Sequence, residues 1–433
     1  MIHHPFEFTF LFEYAKIRTQ RERERERERE RGENQPSIEG LMATRRAEHG
    51  GQEIRSYLEL LKICGNEKDI HKGVQLHSQI VQKGFLENNP YMASAVISMY
   101  CKCGLLLKAQ QLHDNLSTRN VFSWNALISG YVKRNMSSHE AFHCYIEMLE
   151  EGISPDSITF TCILKTCGNR GEIDKGQEIH EEIERQGLLE RNLFLSSTLV
   201  DMYARCGKLE KAEKVLEDLI IRDVISWNTL ISRYAQQGQG ESALKCFDKM
   251  QREHIAPDNV TFISIVKACG TLGELEKGKQ IHDEIIRNGF LLDKDVVLGT
   301  AIVDMYVKCG ALARAREVFE KLLVRNVISW NALICGYAQQ GQCEEALKSF
   351  EQMKREGLSP NAITFTCILK ACGSTRAFEK GMVIHDEVVS KGLLEKDVEV
   401  GNSLVDMYAK CGASEKAHRV LLDLPSQNIV SWN

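Results

Sequence analysis

Residues 327–361, VISWNALICGYAQQGQCEEALKSFEQMKREGLSPN, decide how the rest of the chain is read. The stretch returns in variant form at 224–258 and 121–156, and its first five residues reappear at 429–433. Successive copies start 103, 103 and 102 residues apart. So constant a period marks a repeat array, in which each unit buries its apolar face against its neighbours. Within the quoted copy, Ala332, Leu333, Tyr337 and Ala338 fall at helical spacing until Gly341 interrupts them. Ala346, Leu347, Phe350 and Met353 form a second stripe, with Gly357 where a helix ends and Pro360 beyond it. Each unit therefore reads as two helices joined by a tight turn.

Working outward from this copy divides residues 54–428 into eleven units: 54–89, 90–120, 121–156, 157–192, 193–223, 224–258, 259–295, 296–326, 327–361, 362–397 and 398–428. Three kinds alternate. One opens on SWN. The second carries openings such as ITFTCILKTCG at 158–168, and the third openings such as STLVDMYARCG at 197–207. No useful period-2 alternation occurs, so the expected fold is an all-α solenoid of about 22 helices. Residues 429–433 read as the start of a further unit, and the chain is expected to be truncated there.

Residues 1–53 differ from the rest. Positions 21–31 alternate strictly between Arg and Glu, which spreads both charges over every face and leaves no apolar stripe. The segment is expected to be disordered. An alternating AG tract in a message translates as Arg-Glu, so the segment also reads as untranslated message, with Met42 as the start. Residues 1–20 lack the Ser and Arg enrichment of a transit peptide.

Composition narrows the function. The net charge is -5, and the ten positive and ten negative side chains of the first 50 residues leave the array with 45 against 50. Bulk attraction for a polyanion is weak, so such a ligand would need a local groove. No apolar run approaches the roughly 18 residues of a membrane helix, and no membrane association is expected. The 15 cysteines are expected to be reduced thiols, because the chain is too long for a disulfide-stapled scaffold. Cys64, Cys167, Cys269 and Cys372 share one position, and Cys103, Cys206, Cys309 and Cys411 another. Equivalent positions lie a full triplet of units apart and cannot converge on one ion. His77, His180, His282 and His385 recur likewise and are expected to be structural. The H-x-E triplets at 180–182, 282–284 and 385–387 resemble part of the zinc deaminase signature, but that signature also needs C-x-x-C, which this chain lacks. No phosphate loop or H-E-x-x-H helix is present. The chain is expected to hold no cofactor and no catalytic site.

The openings VISWNALICGYAQQG, ITFTCILKACG and VGNSLVDMYAKCG resemble the P, L and S motifs of the plant pentatricopeptide repeat proteins of the PLS subclass, in the correct rotating order over residues 54–433. The resemblance implies a right-handed superhelix whose inner groove binds single-stranded RNA at about one base per repeat. In that family the fifth and last residues of a motif read the base. Ionised Asp only accepts, which suits the ring N–H of uracil or guanine; Asn also donates, which suits the bare ring nitrogen of adenine or cytosine. Carried over, Asn125/Asp156 and Asn228/Asp258 imply uracil, and Ser197/Asp223 implies guanine. Ser94/Asn120 and Thr300/Asn326 imply adenine. Asn331/Asn361 and Asn402/Asn428 imply cytosine ahead of uracil. Among the L units, Thr366/Asp397 fits guanine and Thr161/Asn192 adenine, while Ile263/Asp295 and Leu58/Asn89 are uninformative.

With amino-terminal repeats toward the 5′ end and the L positions left open, the implied sequence is 5′-AUnGUnACnY-3′. Bases would be wedged between the apolar second residues Phe122, Phe194, Ile225, Val297 and Ile328, a role Glu399 does not fit. The resemblance further implies a chloroplast or mitochondrial adaptor in RNA editing or processing, with any deaminase supplied in trans or by an extension beyond Asn433. Two other classes remain, a protein-binding α-solenoid scaffold and a non-functional gene fragment. A scaffold gives no evident reason to restrict the fifth and last positions to Asn, Asp, Ser and Thr.

Overall fold

The computed structural model describes residues 38–133, 138–189, 192–290 and 294–424. Among these there are no strands, and 22 helices of nine residues or more follow one another, with a one-turn helix at Phe85–Asn88. The chain divides between Arg134 and Asn135 into two compact bodies. The Arg-Glu run and residues 425–433 lie outside the described residues.

In the second body the helices form two layers. Ser157–Arg170, Leu193–Arg205, Val224–Gln236, Asn259–Leu272, Val296–Lys308, Val327–Gln339, Ala362–Thr375 and Val398–Lys410 pack each on the next. The helix that follows each of them, for instance Cys343–Arg355 after Val327–Gln339, packs against it. The first body repeats this with Ile38–Glu67, Pro90–Cys103 and Val121–Lys133 as the stacked helices. Its first helix starts at Ile38, so residues 38–53, expected to be disordered, are helical. Leu41, Met42, Ala43, Arg45, Arg46 and Ala47 are all good helix formers, which the charge pattern of the segment as a whole concealed.

The helix ends are written locally. Asp258 and Asn361 cap their following helices through capping boxes with Thr261 and Thr364. Gly341 (φ 73°) and Gly357 (φ 77°) take the left-handed conformation that closes each helix of the quoted unit. At the entry to each SWN unit, Arg222 and Arg325 donate to the last carbonyls of the preceding helix, Leu216 and Glu217 or Phe319 and Glu320. A cation there also suits the negative helix end.

The core follows the apolar stripes with two adjustments. Leu333, Tyr337, Ala346, Leu347, Phe350 and Met353 are buried as expected, but Ala332 and Ala338 are half-buried, and Trp330 and Ile334 complete the stripe. Packing between stacked helices is close. A Cβ on Gly336 would lie 2.5 Å from Val307 Cγ1, and one on Gly130 would collide with Cys101. In the intervening triplet the same two positions hold Arg233 and Ala204, so one side chain grows where its partner shrinks. Gly336→Ala should therefore destabilise by about 1–3 kcal/mol, because Val is stiff and cannot swing aside. Val307→Ala should recover most of that loss; urea unfolding of the two single variants and the double variant measures the coupling.

The recurrent histidines acquire partners. Nδ1 of His77, His180, His282 and His385 lies 2.8–2.9 Å from the hydroxyl of Tyr100, Tyr203, Tyr306 and Tyr408 in the next unit. Burial lowers the pKa of all four imidazoles, although carboxylates beside three of them, such as Glu184 near His180, pull the other way. The unfolded chain therefore binds these protons more readily than the folded one. Stability should fall as pH drops below the ordinary histidine value and level off below the lowered folded values. Urea midpoints at pH 7 and pH 5 should differ less for His282→Gln/His385→Gln than for the unaltered chain.

The two recurrent cysteine sets pair with each other. The thiols of Cys103, Cys206, Cys309 and Cys411 lie 3.7–4.0 Å from the carbonyls of Cys64, Cys167, Cys269 and Cys372. Burial pushes the thiols of Cys167, Cys269 and Cys372 up to about 12, so they stay protonated. One pair departs from the expectation of reduced thiols: Cys335 and Cys367 form a disulfide between neighbouring stacked helices. Neither belongs to a recurrent set. In the preceding triplet the same positions hold Ser232 and Ser264, whose hydroxyls hydrogen-bond at 2.8 Å. The site thus brings two small polar side chains together whichever residues occupy it.

Candidate nucleic-acid interface

The last residue of each unit is the N-cap of the next stacked helix, and the fifth residue lies on the first turn of its own helix. Stacking brings the two together. Asn228 Nδ2 donates to Asp258 Oδ1 at 2.8 Å, and Asn331 Nδ2 donates to Asn361 Oδ1 at 3.0 Å. Thr261 and Thr364 Oγ1 complete each cluster by donating to the Oδ1 of Asn228 and Asn331. Ser197 Oγ is 3.4 Å from Asp223 Oδ1 and 2.8 Å from Ser226 Oγ.

In these clusters Oδ1 of the last residue faces the protein. Asp258 Oδ1 accepts from the backbone N–H of Thr261 and from Asn228, and Asn361 Oδ1 accepts from Thr364 N–H and Asn331. Among the described residues, Asp258 Oδ2, Asp223 Oδ2 and Asn361 Nδ2 have no hydrogen-bond partner. Two of the exposed-edge atoms are thus acceptors and one is a donor, as discrimination between N–H and bare nitrogen requires.

Among the described residues, the expected pairs Ser94/Asn120, Thr161/Asn192, Thr300/Asn326 and Thr366/Asp397 are not joined by a hydrogen bond. Ser94 donates to the Tyr91 carbonyl, while Asn120 caps Val121–Lys133 through the N–H groups of Phe122 and Ser123. Thr161 donates to the Ser157 carbonyl, and Asn192 caps Leu193–Arg205. Thr300 Oγ1 is buried without a partner, while Asn326 caps the next helix through Ser329. Thr366 is half-buried, and Asp397 caps Val398–Lys410. Asn125 is buried in the first body, whereas Asp156 belongs to the second, where it caps Ser157–Arg170. Asn402 is half-buried; Asn428 lies outside the described residues.

Capping also corrects one inference from composition. Asp or Asn at the last position is required by the helix it starts, whatever the array binds. Restriction at that position therefore does not by itself argue against a protein-binding scaffold.

The second residue of each stacked helix is more telling. Phe194, Ile225, Val297 and Ile328 are 40–67% exposed, so they are not core residues. Val260 and Ile363 extend the row through the L units at 51% and 58%. Sequence reading passed over these two because the L units lacked a regular fifth residue. Positions two, five and nine of a helix share one face. Position nine of the L units is Lys165, Lys267 or Lys370, a cation once per triplet that the net charge had hidden. Lys165 Nζ sits 5.0 Å from the centre of the Phe194 ring. Phe122 is half-buried against Tyr91, at 4.8 Å between ring centres. Glu399 is exposed and interrupts the row. Among the described residues no group of three or more His, Cys, Asp or Glu could hold a metal, and no helix is long and apolar enough to cross a membrane.

Comparison with known proteins bears on the repeats and the fold. The profile of the PPR repeat family matches residues 119–169, 222–271 and 325–374, and that of the single PPR repeat matches 91–121, 158–188, 195–224, 260–290, 363–393 and 402–429. Among curated relatives, a chloroplastic pentatricopeptide repeat-containing protein of Arabidopsis thaliana is 34% identical over 378 residues, covering 87% of this chain and 60% of that protein. A mitochondrial one from the same plant is 34% identical over 374 residues, covering 86% and 36%. The chain thus spans little more than half, or less, of the relatives it matches. Among solved structures, the pentatricopeptide repeat protein PPR10 in complex with an 18-nt psaJ RNA element superposes with a TM-score of 0.67 at 20% identity, over 80% of this chain and 52% of that one. The all-α solenoid and the repeat matches together make this chain a member of the pentatricopeptide repeat family.

Proposed function

We propose that the chain is a sequence-specific reader of single-stranded RNA in a chloroplast or mitochondrion, of the PLS type, acting as an adaptor in cytidine-to-uridine editing or in processing. The observation that carries this reading is the shared face of the stacked helices. Exposed apolar residues at position two alternate along it with polar pairs whose outer atoms are unengaged at Asn228/Asp258 and Asn331/Asn361. Apolar side chains offer stacking surface to any base, and the polar pair then discriminates between bases. Lys267 and Lys370 on the same face suit phosphates. The PPR10 complex with RNA and the organellar names of the relatives point the same way. The array supplies recognition alone, and deamination falls to a partner enzyme or to a segment outside it.

The test is equilibrium binding of the full chain to a synthetic 5′-AUUGUUACUC-3′ RNA and to a permutation of the same bases. The ordered sequence should bind at least about a hundredfold more tightly, since each wrong base typically costs about 1–3 kcal/mol. Equal affinity for both RNAs would reject sequence reading; no binding to either would leave the protein scaffold as the better account.

A further inference from the structure

The unit 259–295 differs at its last residue from the units that end in Asp223, Asp258 and Asp397. Asp295 caps Val296–Lys308 by accepting at Oδ1 from the N–H groups of Val297 and Leu298. Its outer oxygen, Oδ2, accepts a 2.6 Å hydrogen bond from Asn259 Nδ2, the first residue of the same unit. Both carboxylate oxygens are therefore engaged, whereas Asp258, Asp223 and Asp397 keep Oδ2 without a partner among the described residues. The other L units begin with Ile54, Ser157 and Ala362, none of which carries an amide to reach across. Asn259 Oδ1 is itself buried and unpaired, so no oxygen of the Asn259/Asp295 couple is both unpartnered and exposed to a ligand.

We propose that Asn259 holds the unit 259–295 silent, making the sixth nucleotide of the bound RNA a spacer that any base can fill. Two features act together. Ile263 at the fifth position has no donor or acceptor, and Asn259 occupies the one carboxylate oxygen that would meet a base N–H. Asn259 is a positioning residue: it acts through Asp295 and need not touch RNA. The consequence is specific to this unit. Installing a reading residue at position 263 alone will not create selectivity, because the last residue stays turned to Asn259. The proposal rests on the RNA-reading function above.

The experiment uses the full chain, four RNAs that differ only at the sixth nucleotide of 5′-AUUGUNACUC-3′, and control RNAs changed at the fourth or at the fifth nucleotide. The unaltered chain and Ile263→Thr should each bind all four within about twofold, less than a single discriminating hydrogen bond supplies. Asn259→Ala/Ile263→Thr should prefer guanine over adenine by about tenfold, the scale of one such bond. Guanine preference in Ile263→Thr alone, or a flat response in the double variant, would overturn the silencing role. Unchanged discrimination at the fourth nucleotide, read through Ser197/Asp223, shows in every variant that the fold and neighbouring units are intact. If no variant discriminates at the fourth or fifth nucleotide, the RNA-reading function has failed, and the silencing role falls with it.

Discussion

Exchanging Asn331 for Thr and Asn361 for Asp should turn a cytosine preference at the eighth nucleotide into a guanine preference. The expected change in the ratio of affinities is about ten- to a hundredfold, matching about 1–3 kcal/mol per wrong base. The chemistry follows from the outer atom of the last residue. Asn361 Oδ1 is already taken by Thr364 and Asn331, which leaves its amide to donate outward. In Asp the bond from Thr364 N–H can be kept while the outer atom becomes an acceptor, able to meet the ring N–H of guanine but not the bare nitrogen of cytosine. The fold should tolerate the exchange. Asp258 caps its helix with Thr261 as Asn361 does with Thr364, and Thr300 already occupies a fifth position. Binding of two RNAs that differ only at that nucleotide measures the effect, and an unchanged ratio would defeat the assignment of this pair.

The largest loss of stability should come from Trp330→Ala, about 3–5 kcal/mol, as expected for deleting a fully buried Trp side chain. Trp330 packs edge-on against Phe319 with 4.6 Å between ring centres, and its Nε1 donates to Glu356 Oε2 at 3.1 Å. Glu356 also takes an ion pair from Arg325, so indole, carboxylate and guanidinium join three segments across two units. Because a solenoid is held by nearest-neighbour contacts, the loss should stay local and broaden the urea transition. Phe substitutions separate packing from hydrogen bonding. Trp227 Nε1 is buried without a partner, so Trp227→Phe should cost less than Trp330→Phe by about 1 kcal/mol. Equal losses in the two Phe variants would show that the Glu356 bond contributes nothing.

The helix-pair repeat could be read without coordinates because its causes are local. The 103-residue recurrence of SWN, the apolar stripes ending at Gly341 and Gly357, and an Asp or Asn at each helix start are properties of neighbouring residues. Helix periodicity and capping act within a turn or two, so they leave a direct trace in the sequence. The segment 38–53 shows the limit of composition, since a charge-rich neighbourhood obscured good helix formers within it.

Contacts between atoms far apart in sequence arise from packing alone. Asn228 and Asp258 are 30 residues apart, Asn259 and Asp295 are 36, and both pairs form because stacking places one helix start beside the next. The family resemblance implied the first pair. It offered no sign of the second, because Asn259 has no counterpart in the other L units. Exposure of Ile225, Val260, Ile328 and Ile363 likewise depends on which face of a stacked helix remains uncovered. A single helix has several faces on which an apolar residue can lie, and only packing against both neighbours removes all but one of them from water. The repeat pattern is thus a local property of this chain, whereas the chemistry it presents is a property of contacts between units.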